Sequence, residues 1–394
     1  MSAKTVIEIW LMGGPSHLET FDPKPSAARD YNGELKAIDT NVPGMQVHEW
    51  LPELAKCADL YSLIRSMTHP HNGHETAVYL MQTGRMPGGK SVYPAIGTII
   101  GMEKKRRGEY VGDLPPSVIL TREKGRFSEV GFLDPVWEPL VTGGDPTASV
   151  FTVDGITPPG GLTPEKIAQR FELAAKLDTL PVPLPEFDRA GEEAKKLIAG
   201  DGAKAFDLSA ESAETRAAYG LKSRFGQSLL VARRLAEYGV PYVTVNLTGW
   251  DSHKKHFETM RKTTAEFDVA VSTLLKDLKA RGLLDTTLVW VSGEFGRRPK
   301  IEWEAPWNGG RNHYSKCFSA LVAGGGFKGG CVVGESDANG ENVKSRPVAP
   351  QDLLGSICEL CGIDPDGPLT NSRGIEATIL PPQSEAGRLK EIYA

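Results

Sequence analysis

The sequence predicts an α/β fold with a mostly parallel sheet whose carboxyl edge carries the chemistry. Three observations support that expectation. Short β-branched and apolar runs, such as Leu288-Val289-Trp290-Val291, are apolar on both faces, as strands buried inside a parallel sheet are. Amphipathic helical stretches lie between these runs, and a strand–helix–strand order requires a crossover between parallel strands. The runs end in turns rich in glycine, acid and histidine, and ligands of open α/β sheets bind outside the carboxyl ends of the strands.

Length and composition narrow the class. A chain of 394 residues holds one large domain or two ordinary ones, and 40% hydrophobic with 24% charged residues is a globular composition. A formal charge of −5 is small for this length and favours neither nucleic acid nor an anionic membrane as partner. The basic run Lys104-Lys105-Arg106-Arg107 reads as a solvated loop or helix end. The cysteines are five and irregularly spaced, which argues against a disulfide framework. Cys358 and Cys361 have CxxC spacing inside an apolar helical run, with no second such pair and no nearby histidine, so they read as core. No segment approaches the roughly 18 apolar residues of a membrane span. A basic–apolar–small leader pattern is also missing. The location is therefore open: cytoplasmic as the sequence stands, periplasmic or exported if a leader has been removed. The 43 glycines and 28 prolines cluster in loops, as in a loop-rich α/β protein rather than a helical bundle.

Taken in order, residues 5–12 form a first strand ending in Gly13-Gly14-Pro15-Ser16-His17. Leu60–Ser66 is a second, followed by His69, His71 and His74, then a helical stretch to Thr83-Gly84-Arg85. Tyr93–Glu103 is helical, Ser117–Leu120 is a strand, and the Gly-, Pro- and Thr-rich residues 121–162 are surface excursions. Thr163-Pro164-Glu165 is a helix start, with a Thr cap, Pro at the first position and an acid at the positive dipole end. Ile167, Phe171, Ala174 and Leu177 continue its stripe. Pro181–Pro185 breaks the chain, and polar helical material runs from about 187 to 238. Residues 163–238 are thus a helical insertion within one domain spanning 1–394. Tyr242–Leu247 is a strand, Phe257 to Leu278 an amphipathic helix closed by Gly282, and Leu288–Ser292 the next strand, placed beside the previous one. Ser319–Ala323 is another strand, turned by Gly324-Gly325-Gly326, and a last helix covers about Pro350–Cys361.

The candidate site follows from the strand exits. Asp251 and His253 leave one strand and Glu294 another, His313 lies on the loop from Glu294, and His17 with His71 or His74 come from earlier exits. Imidazole and carboxylate together suit Zn²⁺, Mn²⁺ or Fe²⁺, and three protein ligands with one open position make a catalytic site. Plain alternatives exist: Asp251 as a helix cap, Glu294 as a helix-starting acid, His313 as a loop residue. Arg297, Arg298 and Arg311 flank the same positions and suit bidentate binding of a phosphate or sulfate ester, or pairing with acids on the rim. Gly13-Gly14-Pro15-Ser16 lacks the GxxxxGK[ST] pattern, Gly324–Gly330 is not a GxGxxG in a βα setting, and no GxSxG is present.

Six segments in order carry a resemblance. They are Trp10–His17 with Phe21–Pro25, His74 to Arg85, Gly249–His253, Gly293–Arg297, Gly310–His313, and Gly324–Gly326 with Gly334–Asp337. Together they resemble the bacterial family called domain of unknown function 1501, over nearly the whole chain. That family is similar to the alkaline phosphatase and sulfatase superfamily. The resemblance implies a three-layer α/β/α sandwich around a mostly parallel, alkaline-phosphatase-like sheet. It implies a metal site at Asp251, His253 and His313. Glu294 stands where relatives place a second-site acid usually followed by His; here Phe295 follows. The first-strand acid of the superfamily is missing from Met12-Gly13-Gly14, with His17 as a substitute, so the expectation is one metal. His74 stands nine residues before Thr83-Gly84-Arg85, similar to where sulfatases place a modified nucleophile. Glu19, Arg298 and Asn312 stand where Asp, Thr and Asp are expected, and a carboxylate beside His313 would have oriented its ring. Family members often begin with a twin-arginine export leader, whereas this chain begins almost at its first strand.

These readings give a metal-dependent hydrolase of phosphate or sulfate esters. Asp251, His253, His313, Glu294 and His17 are the candidate ligands, for Zn or Mn. His74 is the candidate nucleophile or acid, Glu294 a base, and Arg297 or Arg311 the anion holder. The substrate is a small anionic ester or a sulfated or phosphorylated glycan. The alternative is a non-catalytic binding or structural protein keeping the fold and a structural metal. A phosphoglycerate-mutase-like phosphotransferase finds only Ser16 and Ser66 as serines near that edge. The sequence leaves the oligomeric state open.

Overall fold

The computed structural model of the chain describes residues 2–33, 36–122, 130–148, 151–157, 162–177, 195–198 and 200–394. Its centre is an eight-stranded sheet. In chain order the strands are β1 (Thr5–Leu11), β2 (Tyr61–Met67), β3 (Ser117–Leu120), β4 (Leu140–Val141), β5 (Tyr242–Leu247), β6 (Thr287–Ser292), β7 (Phe318–Ala323) and β8 (Val332–Val333). Across the sheet they lie in the order β8-β2-β7-β6-β1-β5-β3-β4. Among them only β7 runs against its neighbours. The helices packed on the sheet are α1 (His74–Thr83), α2 (Ile96–Arg106), α4 (Arg224–Glu237), α5 (His256–Ala280) and α6 (Pro350–Leu360), with α3 (Pro164–Leu177) between α2 and α4 in the chain.

The alternation of side chains along β1 builds three layers. Ile7, Ile9 and Leu11 point to one face, in a cluster with Leu229 and Leu235 of α4 and Phe267 and Leu274 of α5. Val6 and Trp10 point to the other, with Met81 of α1, Ile100 of α2 and Ile357 of α6. All seven residues of β1 are buried, which is why the strand reads as a continuous apolar run. Each fully buried Leu, Ile or Phe in these clusters contributes about 1.5–3 kcal/mol of transfer free energy. The result is the three-layer α/β/α sandwich expected.

Four local expectations need correction. The strands before Asp251 and before Glu294 are not neighbours, because β1 pairs in parallel with both and lies between them. The crossover through α5 therefore skips one position, and three exits rather than two stand side by side. Residues 121–162 are not merely surface excursions: Phe132, Leu133, Phe151, Val153 and Ile156 are buried, and β4 extends the sheet edge. Lys104 is not solvated, since its ammonium is buried and donates to Glu109 at 2.9 Å and to the Cys361 carbonyl at 3.2 Å. The α3 stripe is buried only at Ile167, with Ala174 and Leu177 exposed. Of the expected helical stretch from 187 to 238, residues 187–194 and 199 lie outside the described residues. The described remainder includes α4, packed on the sheet through Leu229 and Leu235. All five cysteines are free. Among the described residues no helix is long and apolar enough to cross a membrane.

Gly13 shows how closely the strand exits approach one another. Its φ is +108°, and a Cβ there would stand 2.4 Å from the Asp251 nitrogen. Only glycine combines that backbone with that contact. Gly13→Ala is expected to destabilise the protein by about 1–3 kcal/mol, seen as a lower urea midpoint with an unchanged slope.

Candidate metal centre

The site forms where β1, β5 and β6 end. After β5 the chain turns through Gly249-Trp250 and presents Asp251 and His253 before α5 begins. After β6 it turns through Gly293 to Glu294. Gly296-Arg297 then pairs antiparallel with His313-Tyr314, in the register His313 opposite Arg297. That short ladder returns His313 to the same edge before β7 starts. His74 arrives from β2 as the first residue of α1.

Three acceptors converge. His253 Nε2 lies 3.0 Å from Asp251 Oδ1, His313 Nε2 lies 3.2 Å from the same oxygen, and the two Nε2 atoms are 2.9 Å apart. The tautomers follow from the outer partners. The Glu302 carboxylate accepts from Asn312 Nδ2 at 2.7 Å, which turns Asn312 Oδ1 toward His253 Nδ1 at 2.8 Å. His253 thus donates through Nδ1 to an acceptor. His313 donates through Nδ1 to the Asn72 carbonyl at 2.8 Å. A ring carrying one proton has then used it, leaving two Nε2 lone pairs facing Asp251 Oδ1, which Arg297 holds from its other side, with no donor between the rings and that oxygen. A divalent cation resolves that arrangement, and imidazoles held from behind by a carbonyl or amide oxygen are the usual form of metal ligands. The residues fit a metal. Asn312 does the orienting expected of an acid, but on His253 rather than His313.

His74 closes the cluster. Its Nε2 is 3.3 Å from Asp251 Oδ2, and its Nδ1 donates to Glu294 Oε1 at 2.6 Å. One ligand atom each from His74, Asp251 and His313 lies within 4.8 Å of the others. The hydrogen bonds to Asp251 and Glu294 outweigh partial burial and raise the His74 imidazole to about 9. Burial opposes ionisation of Asp251, but the hydrogen bonds of His74 and Arg297, with the Arg297 charge, hold its carboxyl well below the usual range. Phe295 is fully buried beneath these rings, its centroid 4.5 Å from that of His313 and 5.0 Å from that of His74.

Other expected residues have different positions. Glu294 is buried, and its carboxylate accepts from the Gly13 N–H at 3.0 and 3.2 Å as well as from His74. It faces the back of His74 rather than the three converging acceptors. Arg297 is fully buried, donating to Asp251, to the Gly13 and Gly14 carbonyls and to the Arg311 carbonyl. It holds Asp251 and has no face for a substrate anion. Arg311 is also fully buried, bound to Glu19 at 2.7 Å and to the carbonyls of Tyr31, Arg298 and Pro299. The expected anion-holding role of Arg311 is therefore corrected to a structural ion pair. His17 is buried and donates through Nε2 to the Gly340 carbonyl at 2.9 Å, so it does not replace the missing first-strand acid.

The sequence reading missed Asn72, His69 and Glu302. Burial lowers His69 to about 4, so it is neutral and donates through Nε2 to the Glu294 carbonyl at 2.6 Å. The signal available was position: Asn72 and His69 sit in the loop that leads to His74, and Glu302 in the loop that leads to His313.

The chain belongs to the protein family of unknown function DUF1501, whose model matches residues 3–384. No curated protein matches the sequence. Solved structures similar to it include the PsFucS1 sulfatase from Pseudoalteromonas sp., at 11% identity, covering 92% of this chain and 68% of that one with a TM-score of 0.41. The lipoteichoic acid synthase LtaP from Listeria monocytogenes is similar at 9% identity, covering 96% and 74% with a TM-score of 0.41. A protein in the alkaline phosphatase superfamily from Vibrio parahaemolyticus is similar at 11% identity, covering 98% and 69% with a TM-score of 0.39.

The Arg311–Glu19 pair gives a stability prediction. Burial opposes ionisation of Glu19, but the charge of Arg311 and the contact with His256 hold its carboxyl well below the usual range. A depressed carboxyl contributes stability that is complete above the ordinary glutamate range, near pH ~4.3, and is lost as pH falls below it. Arg311→Met leaves Glu19 buried without its cation and is expected to cost about 3–5 kcal/mol at neutral pH. Urea midpoints measured between neutral and acid pH should show the loss, with a flatter acid limb in the variant.

Proposed function

We propose that this member of the DUF1501 family is a metal-dependent hydrolase of phosphate or sulfate esters, with Zn²⁺ or Mn²⁺ at Asp251, His253 and His313. One observation carries the reading. Both rings have committed their Nδ1 protons to Asn312 and Asn72, so both Nε2 lone pairs meet Asp251 with no donor between them. Imidazole and carboxylate donors suit these two ions. A bound divalent ion neutralises charge on a phosphoryl or sulfuryl oxygen and makes water a usable nucleophile near neutral pH.

The chain's own residues supply the rest. Arg297 fixes Asp251, and Glu294 fixes the His74 ring through Nδ1. Nε2 of His74 faces the same centre, placed to pass a proton to a departing oxygen. His74 also opens a ten-residue helix whose dipole favours negative charge at this end. Trp303, exposed and stacked on Phe257 at 5.8 Å, follows Glu302 in the chain. An exposed indole on the loop whose Glu302 holds Asn312 suits a sugar ring, which favours esters carried on a glycan. A second reading keeps the metal without turnover. What favours it is that position 74 is histidine rather than Ser, Thr or Cys, and that Arg297 and Arg311 are both buried.

Elemental analysis of the purified chain is expected to find about one Zn or Mn per chain, lost in the His253→Ala/His313→Ala variant. Hydrolysis of p-nitrophenyl phosphate or sulfate should disappear with EDTA and return with the metal. A chain that takes up neither ion and hydrolyses neither ester sinks the proposal. Metal without hydrolysis selects the second reading.

A further inference from the structure

We infer that a buried relay, Glu19–His256–Ser252, positions the turn that carries Asp251 and His253 and thereby sets the affinity of the metal centre; the inference rests on the metal reading above. Ser252 lies between the two ligands in the chain, and His256 begins α5. The Ser252 hydroxyl is 2.7 Å from His256 Nδ1, and His256 Nε2 is 2.9 Å from Glu19 Oε2. The other oxygen of Glu19 accepts from Arg311 at 2.7 Å. His256, Glu19 and Arg311 are fully buried and Ser252 nearly so.

Each group in this line has one available role. Glu19, paired with Arg311, accepts the Nε2–H of His256. Nδ1 of a ring carrying that proton is an acceptor, so it takes the Ser252 O–H. The serine side chain is thereby anchored from inside the protein, with His256 Nδ1 at 2.7 Å and the Trp250 carbonyl at 3.3 Å as the acceptors in reach of its O–H. The turn has other supports: Trp250 is fully buried against the Phe267 ring at 5.8 Å. Ser252 N–H donates to the Trp250 carbonyl at 2.9 Å, and Lys255 N–H and His256 N–H donate to the carbonyls of Trp307 and Gly309 at 3.0 and 3.2 Å. Lys255 stands at φ +49° and makes no side-chain cap for α5. Arg297 holds the Asp251 carboxylate from one side, and the relay holds the intervening backbone from the other. Partners behind a ligand of this kind typically change metal affinity about 10–100-fold when removed.

Serine, histidine and acid in a row also make nucleophiles in hydrolases. Here the serine oxygen is directed into the core, toward His256 and the Trp250 carbonyl at 3.3 Å. The geometry therefore assigns Ser252 a positioning role. It also explains why Arg311 and Glu19 are spent on an ion pair far inside the fold: they fix the far end of the line.

The test uses the full chain, stripped with EDTA, as wild type and Ser252→Ala. Calorimetric titration with Zn²⁺ or Mn²⁺ alone is expected to show about 10–100-fold weaker binding in the variant. Hydrogen exchange in the metal-free protein should be faster at 249–256 than elsewhere in the chain, with the metal-free urea midpoint lowered by the loss of the buried partner of His256 Nδ1. His256→Gln, which breaks both inner bonds, should show the same pair of effects if it folds. Wild-type affinity within about twofold in Ser252→Ala, measured against the scale just given, with unchanged exchange at 249–256, overturns the relay while leaving the metal reading in place. If wild type takes up no metal, the metal reading fails by itself, and exchange at 249–256 alone decides whether Ser252 positions the turn. Covalent labelling of Ser252 by a fluorophosphonate overturns the positioning role in favour of a nucleophile.

Discussion

The Arg297 guanidinium is the contact on which the site depends. It bonds the carbonyls of Gly13 and Gly14 after β1, the carboxylate of Asp251 after β5, and the Arg311 carbonyl in the loop before β7, while its own backbone continues from β6. One buried cation thus ties three strand exits and the returning loop. A buried charge persists only when it is paired and its donors are used, and here every nitrogen of the fork finds an oxygen. The glycines are the other half of the device. A side chain at Gly13 would strike Asp251, and one at Gly14 would stand 2.6 Å from the Phe295 carbonyl.

Phe295 sets the scale of the centre. Its ring fills the space under His74 and His313, so the two imidazoles are supported from below by an apolar surface rather than by another ligand. Glu294, next to it, spends its carboxylate on the Gly13 N–H and on His74.

The ionic residues divide by burial rather than by residue type. Arg297 and Arg311 look alike in sequence, both beside glycine at the same edge, yet one holds Asp251 and the other answers Glu19 deep in the fold. Such buried pairs contribute little net stability against apolar packing of the same volume, but breaking one is costly. Their use here is geometric: they fix where the loops before α5 and β7 run.

What the sequence determined by itself was the fold and the neighbourhood of the site. Apolar runs of period two or of continuous burial mark β1, β2, β3, β5, β6 and β7 almost to the residue, because burial on both faces leaves a local signature. Asp251, His253, His313, Glu294 and His74 stood out because each follows a strand end. Only the tertiary structure decided the pairing order. The placement of β1 between β5 and β6 depends on long-range register, and nothing local in either strand encodes it. The same holds for Asn72, Asn312, Glu302 and His69, ordinary polar residues whose roles arise from what folding sets beside them. It holds equally for His17 and Arg311, which share the chemistry of the site but are turned into the interior. Residue type and spacing are properties of the chain, whereas the direction of a side chain and its hydrogen-bond partners belong to the packed whole.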